Sequence, residues 1–476
     1  MEVSTKINKS METIPSQVAY ELGLNAVKSK KSFQKQKLGQ YFTPLNIARL
    51  MASLISINTQ KKKIKVLDPG CGLLILSACL IEKIIEVNGI EEIELTCYEL
   101  DNEIIDCLMD SILYIEKWLL IKGISFKYRL IQKDFVGEIA ASGNAENDED
   151  ILKYAYYDYV ISNPPYYKMT KYDQKLKDVL PQLSEQPNIY FLFLYESALR
   201  LKEGGEMVFL IPRSFFSGGF FKQFRDILLN IVSLETIHLF QDNKELFEDS
   251  GVLSEFVIIK AVKNSLLGEH LLKITCSSRE EEDINFDYSY VLDRKSNIIM
   301  LPKSEDDVKI IEKVNSFGGS LRKFNLEIKQ GTILNSRMEK SIRPANSTFE
   351  TAAPYITCAA LSDGKANRTL VCPETEKLLI PNKNYILFLR YNTKRAYKGI
   401  TAVSYYQQKH DSKNIFIDKQ LSYIDKIGGE LNEREVDAIV EILNSEIIQK
   451  YIKIINGEMN VSTEMLYDIP LPQDIL

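Results

Sequence analysis

The stretch DYVISNPPYYKM (residues 158–169) ends an apolar run in an asparagine, two prolines and two tyrosines. Proline has no N–H to give to a strand ladder, so a strand must end at this point. An exocyclic purine amine is a poor nucleophile because its lone pair is delocalised into the ring, and a site that activates it needs two acceptors about 3 Å away. The Asn163 side-chain oxygen is one candidate acceptor. The Pro164 carbonyl is the other, because the Pro164–Pro165 turn fixes its direction.

The aromatic residue after the two prolines adds a flat apolar face. Tyr166 could stack on a base, a contact that contributes roughly 1–3 kcal/mol. Activation of such an amine needs no covalent nucleophile, and the chain carries no Pro-Cys dipeptide. The alternative is a purely structural turn at the end of a strand, and the residues after the three preceding strands favour a site instead.

The elements that must position these residues alternate regularly. Short apolar runs and longer amphipathic runs follow one another from about residue 63 to residue 263. This pattern predicts an α/β fold with a mostly parallel sheet covered on both faces. Ligands of such sheets bind beyond the carboxyl ends of the strands. We predict strands at 64–68, 93–99, 126–134, 157–162, 206–212, 234–240 and 253–262, and helices at 73–87, 102–120, 188–202 and 219–232.

Polar residues follow each of the first three predicted strands. The turn DPGCG (68–72) opens a helix, where glycines allow close approach and free N–H groups face a ligand. Glu99 at the second strand tip could bind two ribose hydroxyls, while Asp101 could cap the next helix. After the third strand, Asp134 and Phe135 suit an adenine amino group and ring. Each signal alone also fits an ordinary turn, but three in succession indicate a nucleoside cofactor.

A further motif, GQYFTP (39–44), precedes the first strand. Thr43 is a natural helix N-cap, and Pro44 suits the first helical position. Capping does not explain the aromatic pair before them. Residues 1–35 are polar and lysine-rich, and we expect them to form a helical or loosely ordered N-terminal extension.

The composition limits the possible classes of protein. A hydrophobic content of 45% is ordinary for a globular chain, and no apolar run is long enough to cross a membrane. The N-terminus has no signal-peptide core, so we expect a cytoplasmic protein. Seven cysteines without a C-x-x-C pair and three histidines argue against a metal site or a disulfide framework. The net charge of −6 still permits nucleic-acid binding, because basic clusters occur at 28–37, 61–65 and 390–399.

In their linear order, GQYFTP, DPGCG, YELD, KDF and NPPY resemble the S-adenosylmethionine-dependent DNA adenine-N6 methyltransferases. The order is similar to that of the gamma class of type II restriction–modification systems. The last third, at 327–337, 384–403 and 443–472, resembles modification methylases of the PstI and BsuBI kind. The resemblance implies a bacterial or archaeal protein with a Rossmann-like class I methyltransferase sheet. That sheet would have seven mostly parallel strands, the last antiparallel, and a C-terminal mixed α/β target-recognition domain would follow it.

The resemblance also implies a division of the chain. It predicts the extension at 1–35, the catalytic domain at 36–265, a linker at 266–300 and the DNA target-recognition domain at 301–476. The residues expected to bind S-adenosylmethionine are Tyr41, Thr43, Asp68, Gly70, Gly72, Glu99, Asp134 and Phe135. Of these, Asp68 and the glycines would hold the methionine end, Glu99 the ribose, and Asp134 with Phe135 the adenine.

The implied substrate is an adenine flipped out of double-stranded DNA, because the amine cannot be reached inside a duplex. The residues expected to hold it are Asn163, Pro164, Pro165 and Tyr166, with Phe247 as a second stacking residue. Candidate DNA contacts in the last third are Arg337, Lys394, Arg395 and Asn460. The protein would act as a monomer and be paired with a separately encoded restriction endonuclease.

Three alternatives remain open at this point. The same chemistry could act on an adenine of ribosomal RNA or on a glutamine amide of a protein. The chain could be a DNA-binding subunit without activity, although no motif is degraded. It could also require a separate specificity subunit, but the long C-terminal region favours built-in recognition.

Overall fold

The computed structural model divides the chain into two compact units: Met1–Phe215 with Phe220–Val291, and Phe216–Gly219 with Leu292–Leu476. The structure describes residues 12–29, 42–137, 156–170, 172–181, 183, 188–240, 255–263, 271–277, 284–293, 297–332, 352–357, 368–371, 379–389, 399–407, 413–457 and 461–475.

The first unit alternates strands and helices. Its strands are β1 (Lys63–Pro69), β2 (Glu92–Tyr98), β3 (Ser125–Ile131), β4 (Tyr157–Ser162), β5 (Leu201–Pro212), β6 (Ser233–Leu239), β7 (Phe256–Val262), β8 (Leu271–Cys276) and β9 (Ile284–Asp287). Its helices are α1 (Pro15–Ser29), α2 (Leu45–Ser53), α3 (Ile75–Ile85), α4 (Ile105–Ile121), α5 (Gln174–Val179), α6 (Ile189–Arg200), α7 (Ser214–Ser217, whose last two residues are assigned to the second unit), α8 (Lys222–Leu229) and α9 (Tyr288–Val291). Short 3₁₀ turns precede α4 at Asn102–Ile104 and α8 at Gly219–Phe221.

The strands of the first unit form one sheet in the order β3-β2-β1-β4-β5-β7-β6-β8-β9. The first five strands in this order, β3, β2, β1, β4 and β5, are mutually parallel. Strand β7 runs antiparallel to both β5 and β6. The predicted α/β class and the Rossmann-like sheet with its antiparallel strand are therefore confirmed. The strand order reverses between β1 and β4, which is where ligands of open α/β sheets bind.

The sheet is larger than the seven strands expected from sequence. β8 pairs in parallel with β6, and β9 pairs antiparallel with β8, so the sheet has nine strands. Both added strands fall within the region 266–300, for which we predicted a linker. β9 buries only Phe286 of its four residues. An edge strand that is mostly exposed shows little alternation of apolar and polar residues, so its sequence pattern does not predict a strand.

Helix α1 is packed onto the first unit, although we expected residues 1–35 to be an extension. The Ser16 backbone N–H and hydroxyl both donate to the Glu82 carboxylate on α3, at 2.6 and 3.0 Å. Gly23 lies against the Phe42 ring, and a Cβ at Gly23 would come within 2.0 Å of that ring. Helix α1 therefore supports the segment that leads into Thr43, and a glycine is required for the close approach.

The second unit combines helices with sheets whose strands are mostly antiparallel. Its strands are β10 (Leu292–Asp293), β11 (Ile298–Ile299), β12 (Leu326–Gln330), β13 (Ala352–Ile356), β14 (Arg368–Val371), β15 (Ile380–Pro381), β16 (Tyr385–Leu389), β17 (Ala402–Tyr405), β18 (Asn414–Ile417) and β19 (Leu421–Lys426). Its helices are α10 (Glu305–Asn315), α11 (Glu433–Asn444), α12 (Glu446–Asn456) and α13 (Thr463–Asp468). Two four-stranded sheets have the orders β12-β19-β16-β17 and β14-β13-β18-β15, and β13 and β18 pair in parallel. Helices α11 and α12 bury Val436, Ile439, Ile448 and Ile452 in an apolar core with Ile386 and Ile424 of the first of these sheets.

Candidate active site

Four adjacent strands end at the same edge of the first unit's sheet. β3, β2, β1 and β4 are neighbours and run parallel, so their carboxyl ends lie side by side. The motifs predicted from sequence follow these four strands directly. The Ser162 hydroxyl at the end of β4 donates to the Pro69 carbonyl at the end of β1, over 2.9 Å. This bond holds the NPPY motif beside the glycine turn.

The glycine turn after β1 has a left-handed backbone. Gly70 has φ +83° and Gly72 has φ +53°, a region that residues with a side chain rarely adopt. The backbone N–H groups of Gly70 and Cys71 donate to the Tyr98 carbonyl, at 3.0 and 2.9 Å, so the turn is fixed against β2. A Cβ at Gly72 would meet no atom within 4 Å. The turn thus presents backbone to an open space.

The carboxylate of Asp68 is buried beneath this turn. One oxygen accepts a 2.5 Å hydrogen bond from the Ser77 hydroxyl of α3. The other, Oδ1, is buried and has no hydrogen-bond partner among the described residues. Burial raises the pKa of this carboxyl to about 7, with a further contribution from the charge of Glu99. Buried acceptors are normally satisfied, so Oδ1 is suited to receive a donor from a ligand.

Glu99 joins the second strand tip to the glycine turn. Its Oε2 accepts from the Gly72 N–H at 3.0 Å, and its Oε1 accepts from the backbone N–H groups of Leu100 and Asp101 at 2.8 and 2.7 Å. Burial raises the pKa of Glu99, while these three bonds act in the opposite direction. Asp101 is the N-cap of the following 3₁₀ turn, as expected, because its side chain accepts from the Glu103 N–H.

The third strand tip brings Asp134 and Phe135 into different surroundings. Asp134 accepts from the Val136 N–H at 3.0 Å and forms an ion pair with Lys175 of α5. Phe135 is only 2% exposed. Its ring packs on Phe193 at 5.3 Å between centroids and lies under the Arg200 guanidinium at 4.4 Å. Most of the Phe135 ring is therefore covered by protein, a burial that the sequence did not predict.

Asn163 is held from both ends of its amide. Its Nδ2 donates to the Thr43 hydroxyl at 2.9 Å, and its Oδ1 lies 2.6 Å from the Tyr166 hydroxyl. The expectation that Thr43 caps a helix was wrong: α2 begins at Leu45 with Pro44 at the N-cap position, and the Thr43 hydroxyl faces Asn163 instead. In this arrangement the amide oxygen lies toward Tyr166 and the amide nitrogen toward Thr43.

Tyr166 has a second contact that the motif did not disclose. Its hydroxyl also lies 2.7 Å from the Leu210 carbonyl on β5, and its one proton can go to only one acceptor at a time. The half-buried ring packs edge-on against Phe256 and Tyr190, at 5.0 and 6.0 Å between centroids. Tyr166 is therefore anchored to both β5 and β7.

The two residues after the motif anchor it to helix α6. The Ile189 N–H donates to the Tyr167 carbonyl at 3.0 Å, and Lys168 forms an antiparallel bridge with Asn188. Asn188 also caps α6. Several residues that contact the site were not predicted from sequence, because they lie outside the recognised motifs. They are Ser77, Lys175, Glu196, Arg200 and Leu210, the last through its carbonyl.

Other predicted residues lie outside the described part of the chain, so their roles stay predictions. They are Tyr41, Phe247, Arg337, Lys394, Arg395 and Asn460. Within the described residues, no group of three or more His, Cys, Asp or Glu side chains is placed to hold a metal ion. Over the same residues, no helix has the length and apolar character of a membrane span.

Comparison with known proteins gives three kinds of match. Residues 98–247 match the family model of the Eco57I restriction-modification methylase. The chain is 27% identical over 456 residues to the type II methyltransferase M.BsuBI of Bacillus subtilis, covering 93% of this chain and 89% of the relative. It is 26% identical over 457 residues to M.PstI of Providencia stuartii, covering 92% and 87%.

A solved structure has a related fold. It is a nuclease-deletion mutant of the Type ISP restriction-modification enzyme LlaGI in complex with a DNA substrate mimic. The two folds align with a TM-score of 0.52 at 11% identity, over 94% of this chain and 54% of that one. The resemblance to modification methylases of the PstI and BsuBI kind is confirmed, and the cofactor that these relatives imply is S-adenosylmethionine.

Proposed function

We propose that this chain is a site-specific DNA methyltransferase that modifies the N6 amine of adenine. The observation that carries the proposal is the orientation of the Asn163 amide. Thr43 takes its donor end, so the acceptor end stays at the tip of β4 beside the glycine turn. An acceptor at this position suits an amine substrate, and M.BsuBI and M.PstI, which are similar along nearly the whole chain, are type II methyltransferases.

The residues at the strand tips fit S-adenosylmethionine. The unpartnered Asp68 Oδ1 suits the ammonium of its methionine end, and the open space at Gly72 admits a ligand close to the backbone. Glu99 keeps lone pairs for ribose hydroxyls while it holds three N–H groups. Asp134 would take the adenine amino group. When bound, the cofactor supplies a methyl group on an electrophilic sulfonium.

The chain's own contribution to the reaction is orientation and exclusion of water. Asn163 Oδ1 and the Pro164 carbonyl would accept the two N–H bonds of the amine, and Tyr166 would stack on the base. The base would first leave the duplex, at a cost of a few kcal/mol. The second unit would grip phosphates and read base edges, with Arg337, Lys394, Arg395 and Asn460 as candidates. Phe247 would be a second residue that stacks on the base.

The biological setting follows from the same proposal. The enzyme would work as a monomer in the cytoplasm of a bacterium or archaeon. It would protect host DNA from a separately encoded endonuclease. A net charge of −6 means that DNA affinity must come from local basic surface, so it should fall steeply with salt.

A comparison of acceptors tests the proposal. The protein is incubated with methyl-labelled S-adenosylmethionine and, separately, duplex DNA, ribosomal RNA or a protein with an exposed glutamine. We expect label in duplex DNA and background counts in the other two acceptors. Label in RNA or protein alone would replace the proposed substrate with one of the alternatives.

Gly72 offers a test of the cofactor site with a matched control. Gly72→Ala and Gly123→Ala both place a methyl group at a positive φ, +53° and +73°, and neither Cβ meets an atom within 4 Å. Both should lose about 1–2 kcal/mol of unfolding free energy. Only Gly72→Ala should also weaken S-adenosylhomocysteine binding, because its methyl group enters the ligand space. Calorimetric titration of the two variants with S-adenosylhomocysteine measures this difference. Equal affinities would contradict the placement of the cofactor beside Gly72.

The raised pKa of Asp68 predicts a pH-dependent affinity for cofactor. Near pH 7 part of the ligand-free protein carries a neutral Asp68, and a ligand ammonium favours the carboxylate. Affinity for S-adenosylhomocysteine should therefore rise between about pH 6 and about pH 8, with proton release. Ligand-free stability should change the other way. The pKa is higher in the folded state, so stability falls as pH rises through about 7.

Asp68→Asn is the control for this titration. It should remove most of the pH dependence, and Glu99, whose pKa is also raised, would account for any remainder. A wild-type affinity that stays flat or falls over this pH range would contradict the assignment of Asp68 to the methionine end.

A further inference from the structure

One face of helix α6 contacts both halves of the candidate site. Tyr190 packs against the Tyr166 ring, and three residues later Phe193 packs against Phe135. Phe193 also lies 3.5 Å from where a Cβ of Gly70 would be. Residues three or four apart share one helical face, so a single rigid element touches the NPPY motif, the glycine turn and the third strand tip.

Further along the same helix, a buried carboxylate holds the loop after β3. Glu196 is fully buried, and its Oε1 accepts from the Gly137 N–H at 2.5 Å. Gly137 has φ +93°, so it is the left-handed residue at which this loop turns. The Glu196 side chain therefore fixes the end of the segment 134–137 that begins with Asp134.

An arginine one turn later completes this arrangement. Arg200 is 5% exposed and donates to Glu196 Oε2 at 2.6 Å. Its guanidinium lies 4.4 Å from the centroid of the Phe135 ring, a cation–π geometry. The buried ion pair thus contacts the segment 134–137 at two points, Phe135 and Gly137.

The charge of this pair calls for an explanation other than stability. Buried ion pairs are often no more stabilising than apolar pairs of the same volume. An apolar pair could not make the two directed contacts seen here. The Glu196 carboxylate holds the Gly137 N–H, and the Arg200 guanidinium holds the Phe135 ring. Both contacts act on the loop that carries Asp134.

We propose that Glu196 and Arg200 are positioning residues for the cofactor's adenine, acting through the segment 134–137. This inference rests on the proposed function, because it takes Asp134 as the adenine ligand. The pair sets where the Asp134 carboxylate stands relative to the glycine turn. It does not touch the reacting atoms.

The test measures ligand affinity without DNA. Glu196→Gln should weaken binding of S-adenosylhomocysteine by about 10- to 100-fold, the scale of a misplaced contact. In steady-state assays of methyl transfer, KM for S-adenosylmethionine should rise by the same factor, while kcat at saturation stays within about twofold. Glu196→Gln changes the adenine end of the site. The variant should therefore lose the same factor of affinity for 5′-methylthioadenosine, which lacks the amino acid, as for S-adenosylhomocysteine. Asp68→Asn should weaken S-adenosylhomocysteine but leave 5′-methylthioadenosine nearly unchanged.

Two further variants separate positioning from folding. Asp158→Asn breaks an equally buried carboxylate, paired with Lys61 and Lys202 near the amino end of β4, and should leave ligand affinity unchanged. Arg200→Lys keeps the charge for Glu196 but loses the planar contact with Phe135. It should weaken both ligands less than Arg200→Met does.

Three outcomes would overturn the positioning role. The first is a Glu196→Gln variant that binds S-adenosylhomocysteine with wild-type affinity. The second is an Asp158→Asn variant that loses as much ligand affinity as Glu196→Gln. The third is an equal loss of ligand affinity in Arg200→Lys and Arg200→Met. A wild-type chain that binds neither S-adenosylhomocysteine nor 5′-methylthioadenosine would overturn the proposed function itself, and the positioning role with it.

Discussion

Replacing Asn163 by alanine is expected to lower the rate of methyl transfer by at least about 100- to 1,000-fold, the usual cost of losing one preorganised polar group. The amide oxygen is one of only two acceptors proposed for the amine, so its removal leaves one of the two N–H bonds without its proposed partner. Binding of S-adenosylhomocysteine should stay within about twofold, because Asn163 is assigned to the target base. Single-turnover kinetics and calorimetry measure the two quantities separately.

Asn163→Asp is the matched control for this substitution. It keeps an acceptor oxygen at the same position but loses the Nδ2 donor that bonds to Thr43. We therefore expect activity between wild type and Asn163→Ala. If the alanine variant lost cofactor binding in the same proportion as activity, the role given to Asn163 would be wrong.

Glu99→Gln is expected to reduce cofactor affinity by at least about 100-fold. Both carboxylate oxygens accept backbone N–H groups: Oε2 from Gly72, and Oε1 from Leu100 and Asp101. An amide has only one oxygen, so its NH₂ group would face at least one N–H donor and leave it unsatisfied. The glycine turn would shift, and the ribose would lose a charged acceptor at the same time.

Asp101→Asn is the control from the same motif. Asp101 caps a 3₁₀ turn through Oδ1, and asparagine caps equally well. Its affinity for S-adenosylhomocysteine should equal that of wild type. Equal losses in Glu99→Gln and Asp101→Asn would show that the YELD turn is merely structural and would remove Glu99 from the cofactor site.

The sequence predicted the fold class correctly, because the fold depends on short-range patterns, and the same patterns selected the candidate site residues. Alternating apolar runs are sufficient to predict strands, and a parallel sheet places its functional residues after the strand ends. Asp68, Glu99, Asp134 and Asn163 were chosen as candidates in this way, without any knowledge of their contacts. The rule for α/β sheets, rather than any single motif, carried that step.

The partners of these residues could not be predicted, because they are distant in sequence. Thr43 and Asn163 are 120 residues apart, and the assignment of Thr43 as a helix cap was reasonable from local sequence alone. The burial of Phe135 depends on Phe193 and Arg200, which project from a helix that carries no recognised motif. Side-chain packing of this kind is a property of the assembled core and has no local signature.

The extent of the sheet was underestimated for a related reason. β8 and β9 lie at its edge, where one side of a strand is exposed and apolar residues are few. The packing of helix α1 was also not predicted. Its sequence surroundings are polar and lysine-rich and give no sign of the face that packs against Phe42. Both errors came from segments whose burial is partial.

The identity of the methylated atom tests the central claim most directly. Duplex DNA is incubated with the protein and methyl-labelled S-adenosylmethionine, digested to nucleosides, and separated by chromatography, with Asn163→Ala as the background control. We predict that the label co-migrates with N6-methyldeoxyadenosine and is absent with Asn163→Ala. Label in a methylated cytosine, or the same yield of N6-methyldeoxyadenosine from the alanine variant, would contradict the assignment of the NPPY motif to adenine.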